Sequence, residues 1–288
     1  MISNYKSAAD LELRSAALEG DSKALGQLIE NHQNFLYNVI WRMILSPVEA
    51  EDITQDVIIK IITNLAKFRS ESAFRTWIYR IAFNHVINLP KTSMEKNITT
   101  FEKYGEDLDV LPDQMYPADG EPTPEDKMVI NDVMYGCTAG MLMCLDRQQR
   151  LVYILGEVFE MDAQTASEIL GTSNDNYRQL LSRARRQLYN FMDNKCGLIN
   201  KSNPCRCQKK TRSFIDFGWV DPKNLKFNAA YKRKINEMVK LKHDEMSTTI
   251  DESYQEIFQN QPFQEKNQIK QRIEEIIKGK DFRQVFDL

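Results

Sequence analysis

An all-α fold is what this sequence predicts: two small helical domains joined by an acidic flexible linker, followed by a helical C-terminal extension. Three observations carry the prediction. Glycine (11) and proline (9), the residues that punctuate β-rich chains, are scarce among the 288 residues, and that scarcity leans the composition toward helix. Apolar residues recur at intervals of three and four. Charge is segregated into blocks: six cations against one anion over 58–91, one cation against nine anions over 97–126, and ten cations against two anions over 174–213.

The totals bound the rest. At roughly 100 to 200 residues per domain, a chain of this length holds at least two. A net charge of −3 gives no overall positive field to draw the whole protein onto nucleic acid or an anionic membrane, so any such attraction is local. Apolar residues make up 42 %, with 14 Phe, 11 Tyr and 3 Trp, enough to build cores. No apolar run approaches the roughly 18 residues of a membrane span, and the opening MISNYKSAADLELR lacks the layout of a secretory signal. A soluble, cytoplasmic protein without a membrane span is the expectation. Five cysteines, an odd number clustered late, do not read as a disulfide framework.

In the first block Leu25, Leu28 and Ile29, then Phe35, Leu36, Val39, Ile40 and Met43, follow helical spacing, with Asp21 or Ser22 as N-cap. Pro47 opens the next helix, whose stripe is Ile53, Val57, Ile58, Ile61, Ile62 and Leu65. Phe74, Trp77, Ile78, Ile81, Ala82 and Val86 form another, expected to stop near Pro90. The acidic block holds Pro112, Pro117, Pro122 and Pro124 with Gly105 and Gly120. Such a composition buries too little apolar surface to offset its ordering entropy, and it reads as a tether. The boundaries expected are 1–92 for the first domain, 93–126 for the linker, 127–194 for the second domain, 195–212 for a basic cysteine-containing segment and 213–288 for the extension.

Past the tether, 129–143 and 151–158 read as helices. Asp162 then caps a short helix ending at Leu170, Gly171 suits the left-handed turn, and Ser173 caps the next helix. Helix, three-residue turn with Gly, helix is the layout of a helix-turn-helix. On its second helix Tyr177, Leu181, Ala184 and Leu188 share a face, while Arg178, Gln179, Ser182, Arg183 and Arg186 occupy the others. Arg and Gln can make bidentate contacts to base edges, so this face suits the major groove; a solvated helix face is the plain alternative. In the extension 229–241, 254–258 and 269–277 look helical, with Pro262 as a breaker.

These residues carry a resemblance. The segment AEDITQDVIIKIITNLAKFRSESAFRTWIYRIAFNHVINLPK resembles region 2 of bacterial RNA polymerase sigma factors of the extracytoplasmic-function group (sigma-70 family), and the helix-turn-helix with its LSRAR run resembles region 4. The CGLINKSNPCRC run is similar to a tail found in one subset of these factors. The resemblance implies a non-catalytic subunit that binds core RNA polymerase, recognises two promoter DNA elements and helps open the nearer one, with an anti-sigma protein as a further candidate partner. It places the polymerase contact on Glu51, Asp52, Gln55 and Asp56, which fall at spacings of three and four on one face. Read without it, acidic residues in a first turn complement the helix macrodipole.

For the nearer element the resemblance implies a base pocket in the loop 69–73, with Arg69, Ser70 and Ser72, and a DNA-facing side of the following helix at Arg80, Asn84 and Asn88. Extracting a base costs a few kcal/mol and stacking returns about 1 to 3 kcal/mol, so a pocket with cationic phosphate contacts can tip the balance. Phe68, next to the loop, is the expected stacking ring, while Phe74 and Trp77 read as core. The family commonly has Asp and Arg where Asn88 and Lys91 stand, and a third polar residue where Leu180 stands. For the farther element, Arg178 and Gln179 are placed for bases and Ser182, Arg183 and Arg186 for phosphates. The acidic linker reads as a solvated tether or, by resemblance, as a strand running through basic polymerase channels.

Cys137 and Cys144, seven apart, read as small core residues. Cys196, Cys205 and Cys207 have three open readings: zinc ligands with a fourth donor such as His243, a redox-sensitive pair beside Lys195 and Arg206, or packing. The C-x8-C-x-C spacing is not a strong zinc pattern, so zinc is a candidate cofactor and none is required. The six cations from Lys195 to Arg212 are expected to strengthen binding to DNA or polymerase. A second reading of the whole chain is a one-component helix-turn-helix regulator with a C-terminal sensing domain. It leaves AEDITQDV and FRTWIYRIAFN unexplained. Scattered His, no Gly-rich phosphate loop and no Ser, His and acid arrangement leave little support for an enzyme.

Overall fold

Asp21, Ser46, Thr100, Thr123 and Asp162 each start a described helix by accepting from backbone N–H groups that the helix end leaves unpaired. A computed structural model describes residues 7–97 and 100–227, with 259 and 263 as single positions. The helices expected at 229–241, 254–258 and 269–277 lie outside the described residues, as does His243. Among the described residues there are eleven α-helices and no β-strand, and one isolated bridge joins Cys196 to Cys205.

α1 (Ser7–Leu18), α2 (Ser22–Ile44), α3 (Pro47–Asn64) and α4 (Phe74–Ile87) build the first domain. Asp21 caps α2 by accepting from the backbone N–H of Lys23 (2.8 Å) and Ala24 (3.2 Å). Ser46 caps α3, with Pro47 at its first turn. The stripes expected from the sequence face inward: Leu36, Val39, Ile40, Val57, Ile58, Phe74, Ile78 and Ala82 are all buried. Inside this core Asp10 and His32 form an ion pair at 3.2 Å, and the His32 Nδ1 lies 3.3 Å from the Tyr79 hydroxyl. Burial pushes the Asp10 carboxyl up, but the hydrogen bond and charge of His32 outweigh it and hold Asp10 below its ordinary value.

The acidic stretch is more ordered than its composition suggests. It carries α5 (Ser93–Asn97) and α6 (Phe101–Val110), the latter capped by Thr100. The reason is amphipathic: Leu108 and Leu111 are buried while Glu102, Glu106 and Asp109 stay exposed. Phe101 and Tyr104 lay their rings against Phe191, with centroids at 5.3 and 6.0 Å. α7 (Pro124–Met143) starts with a capping box between Thr123 and Asp126.

After α7 come α8 (Arg147–Tyr153), one π turn (Ile154–Val158), α9 (Ala163–Leu170), α10 (Asn174–Lys195) and α11 (Cys207–Asp216). The α7–α8 corner is locked by Arg150, which donates to the carbonyls of Leu142 (3.0 Å), Met143 (3.1 Å) and Leu145 (3.0 Å) and pairs with Glu95 at 3.0 Å. Arg147 also pairs with Glu95. Three charges share this corner with the carboxylate almost fully buried, so removing Glu95 would leave a buried guanidinium unpaired.

The compact units do not follow linear order. Residues 7–94 cluster with 154–181, and 95–153 cluster with 182–227. The first half of the helix-turn-helix is therefore packed with the front domain, and the tether with the back of the chain.

A candidate promoter-DNA and polymerase interface

The helix-turn-helix is set by its turn. Asp162 accepts from the Thr165 N–H (2.9 Å) and hydroxyl (2.7 Å), bonds that hold its carboxyl below the ordinary value. Gly171 ends α9 at φ +64°, a left-handed conformation that favours glycine. The Ser173 hydroxyl accepts from the Asn176 N–H at 3.2 Å, and Ser167 donates across the turn to Asn174 at 3.0 Å. On α10 Tyr177, Ala184 and Leu188 are buried, whereas Leu181 is half-buried. Gly156 in the π turn is what lets Tyr177 in: a Cβ there would meet the Tyr177 hydroxyl at 2.6 Å. Arg178, Gln179, Ser182, Arg183 and Arg186 are all exposed, and Arg178 lies 3.6 Å from Asp175. The helix thus presents a fan of donors on the side opposite its packed stripe.

On α3 Asp52 and Asp56 are exposed, while Glu51 and Gln55 are half-buried. The Tyr37 hydroxyl is pushed up first by burial and then by the negative charge of Glu51. The four residues expected together lie along one helix, two of them fully presented to solvent.

The loop before α4 exposes Arg69, Ser70, Glu71 and Ala73, with Ser72 half-buried. Ser70 has φ +58°, an uncommon conformation for a residue with a side chain. Phe68 corrects an expectation. Its ring is only 7 % exposed, packs edge-on against Phe74 (5.0 Å) and Trp77 (5.6 Å), and lies under the Arg14 guanidinium at 5.3 Å. The turn after α3 folds this side chain back into the core, so it offers no face to a base. Trp77, expected in the core, is half-buried.

Along α4, Asn84 and Asn88 are exposed, and the Asn88 amide donates to the Asn84 carbonyl at 2.8 Å. Arg80 is engaged elsewhere: its Nη2 donates to the Glu168 carbonyl of α9 at 2.6 Å. α9 packs along α4, and Phe159 meets Phe35 with centroids at 5.0 Å. Periodicity could not reveal this pairing, because it joins residues 88 apart with no sequence pattern linking them.

The tail cysteines gather with one more thiol. α7, which carries Cys137, packs against α11; burial, then the thiols of Cys207, Cys196 and Cys205, push Cys137 well up. Burial likewise raises Cys196 and Cys205, and drives Cys207 to about 12. All five cysteines are free thiols. Among the described residues no group of three or more His, Cys, Asp or Glu side chains is arranged to hold a metal ion. The tail cations also differ from expectation, since four of the six are engaged within the chain. Lys195 pairs with Asp109 at 2.5 Å, Lys210 with Asp113 at 3.0 Å and Arg212 with Asp216 at 3.0 Å. Arg206 donates to the carbonyls of Lys201 (2.7 Å), Asn203 and Cys205 (2.9 Å).

With this geometry in hand, the similarities to known proteins fall on the same two places. Residues 28–91 match the family described as sigma-70 region 2, and residues 136–188 match sigma-70 region 4. The RNA polymerase sigma-H factor of Pseudomonas aeruginosa is 37 % identical over 79 residues, covering 27 % of this chain and 41 % of that protein. The ECF RNA polymerase sigma factor SigW of Bacillus subtilis is 27 % identical over 170 residues, covering 59 % of this chain and 89 % of that one. A solved structure, of CnrH in complex with the cytosolic domain of CnrY, aligns with a TM-score of 0.44 and 23 % identity over 64 % of this chain and 97 % of the other. No described helix is long and apolar enough to cross a membrane. Two family matches in the order region 2, region 4, the second of them containing the helix-turn-helix, identify the chain as an RNA polymerase sigma factor of the sigma-70 family, extracytoplasmic-function group.

Proposed function

We propose that this sigma factor docks on core RNA polymerase through the α3 face of Glu51, Asp52, Gln55 and Asp56. In this reading it meets the nearer promoter element with Arg69, Ser70 and Ser72 and with Arg80, Asn84 and Asn88. The farther element is read with Arg178 and Gln179 on base edges, and with Ser182, Arg183 and Arg186 on phosphates. The observation that carries the reading is the division of α10 into a buried stripe and an exposed row of donors. All chemistry belongs to the polymerase, and the factor works in the cytoplasm as a DNA-binding initiation subunit.

Presenting Arg80 to DNA requires that α9 leave α4, because the guanidinium is held by an α9 carbonyl. An anti-sigma protein is a proposed partner, acting by stabilising that closed pairing. The tail cysteines serve packing in this reading: burial pushes all three thiols up, which disfavours the thiolate that acts as nucleophile.

The test is affinity for core polymerase measured by fluorescence anisotropy of the labelled full chain. Reversing Asp52 and Asp56 to Lys is expected to weaken binding by about tenfold or more, as like charge replaces opposite charge at an interface. Unchanged affinity would remove α3 from the polymerase contact.

A further inference from the structure

The two oppositely charged blocks of this sequence meet each other. Residues 109–116 of the acidic tether lie along the end of α10 and the start of α11, and the bonds between them are mostly to the tether's backbone. Lys210 donates its ammonium to the Leu111 carbonyl at 2.5 Å and pairs with Asp113 at 3.0 Å. Ser213 donates to the Pro112 carbonyl at 2.8 Å, and Gln208 to the Tyr116 carbonyl at 3.0 Å. The Gln114 N–H donates to the Lys209 carbonyl at 2.9 Å, and Lys195 pairs with Asp109. Lys210 is only 8 % exposed and Leu111 5 %. A lysine that deep in a folded unit requires partners for its charge, and the tether supplies both of them.

We propose that α11, with the end of α10, is a clamp whose ligand is the chain's own acidic tether, and that the clamp holds the factor in its closed form. The argument is one of reach, and it rests on the function proposed above. Two DNA-reading faces must engage two separate promoter elements, so α4 and α9 must part. The chain joining them runs through the tether, and a free tether residue adds at most about 3.5 Å of span. With 109–116 pinned to the tail and α6 packed on Phe191, that length is withdrawn from the connection and separation is disfavoured. Core polymerase then binds only the fraction of molecules in which the clamp is open, and its apparent affinity falls by that fraction.

The experiment uses the full chain carrying Gln208→Ala with Ser213→Ala, which removes two clamp bonds without touching the buried lysine. A second variant, Asp113→Asn, alters only the tether side. Amide hydrogen exchange at 109–116 and anisotropy-measured affinity for core polymerase are both read. The expected result is faster exchange at 109–116 and binding tighter by about three- to tenfold, corresponding to a wild-type open fraction of about a third to a tenth. Unchanged exchange in both variants would show that these bonds do not hold the tether. Faster exchange with unchanged or weaker affinity would show that the clamp plays no part in closure. Either result overturns the proposal. A wild-type chain with no affinity for core polymerase would sink the function proposed above and, with it, the consequence drawn here, whereas exchange would still report the clamp on its own.

Discussion

α10 and α11 are both basic, amphipathic helices, and they use their cations in opposite ways. α10 turns Arg178, Arg183 and Arg186 to solvent and buries only its apolar stripe. α11 turns Lys210, Thr211 and Ser213 inward and bonds the tether through Lys210 and Ser213. Net charge alone would assign both to nucleic acid. What separates them is whether an anionic segment of the same chain lies within reach, and nine anions over 97–126 provide one for α11.

Substitutions can break that comparison if it is wrong. The largest effect is expected from Arg178→Ala combined with Gln179→Ala. Each lost bidentate base contact is worth about 1 to 3 kcal/mol, so promoter-directed transcription should fall by about two orders of magnitude or more. Unfolding in urea should shift by less than about 0.5 kcal/mol, as befits an exposed face. If stability fell instead, α10 would be structural on that side. Lys210→Ala should behave the other way. Loss of charge-assisted bonds at a buried site is expected to lower unfolding free energy by about 1.5 to 3 kcal/mol, read by the same urea titration.

Salt dependence sharpens the contrast. Arg183→Ala is expected to reduce the slope of promoter affinity against salt by about one, whereas Lys210→Met should leave the slope as it is. Equal changes for the two would mean that the tail touches DNA after all. The smallest effect is at the turn. Asp162→Ala removes an N-cap worth about 1 kcal/mol. Because hydrogen bonds from Thr165 hold the folded carboxyl below its ordinary value of 3.8, the wild-type cap is fully present above that pH and is lost as pH falls through the folded value. Thermal unfolding of wild type and variant should therefore differ at pH 7 and converge under strong acid.

Much of the fold was legible because helices announce themselves locally. Asp21, Pro47, Asp162, Gly171 and Ser173 act at the ends where the sequence put them, since capping depends on neighbours within a few residues. The exposed row on α10 was legible from period alone. Phe68 was not, because its fate depends on how the turn after α3 folds back, and nothing in the spacing encodes that. The tether's order was illegible for a related reason. Composition measures what a segment can bury by itself, whereas Leu111 is buried with help from α11, about a hundred residues on. The α4–α9 pairing and the approach of Cys137 to the tail thiols are long-range contacts of the same kind.

The central claim is that this chain confers promoter selectivity on a polymerase and does not act alone. Transcription in vitro with purified core RNA polymerase and genomic DNA fragments tests it most directly. The account predicts initiation at defined sites only when the full chain is added. Defined transcripts absent in its presence, or tight sequence-specific DNA binding by the chain without polymerase, would contradict it.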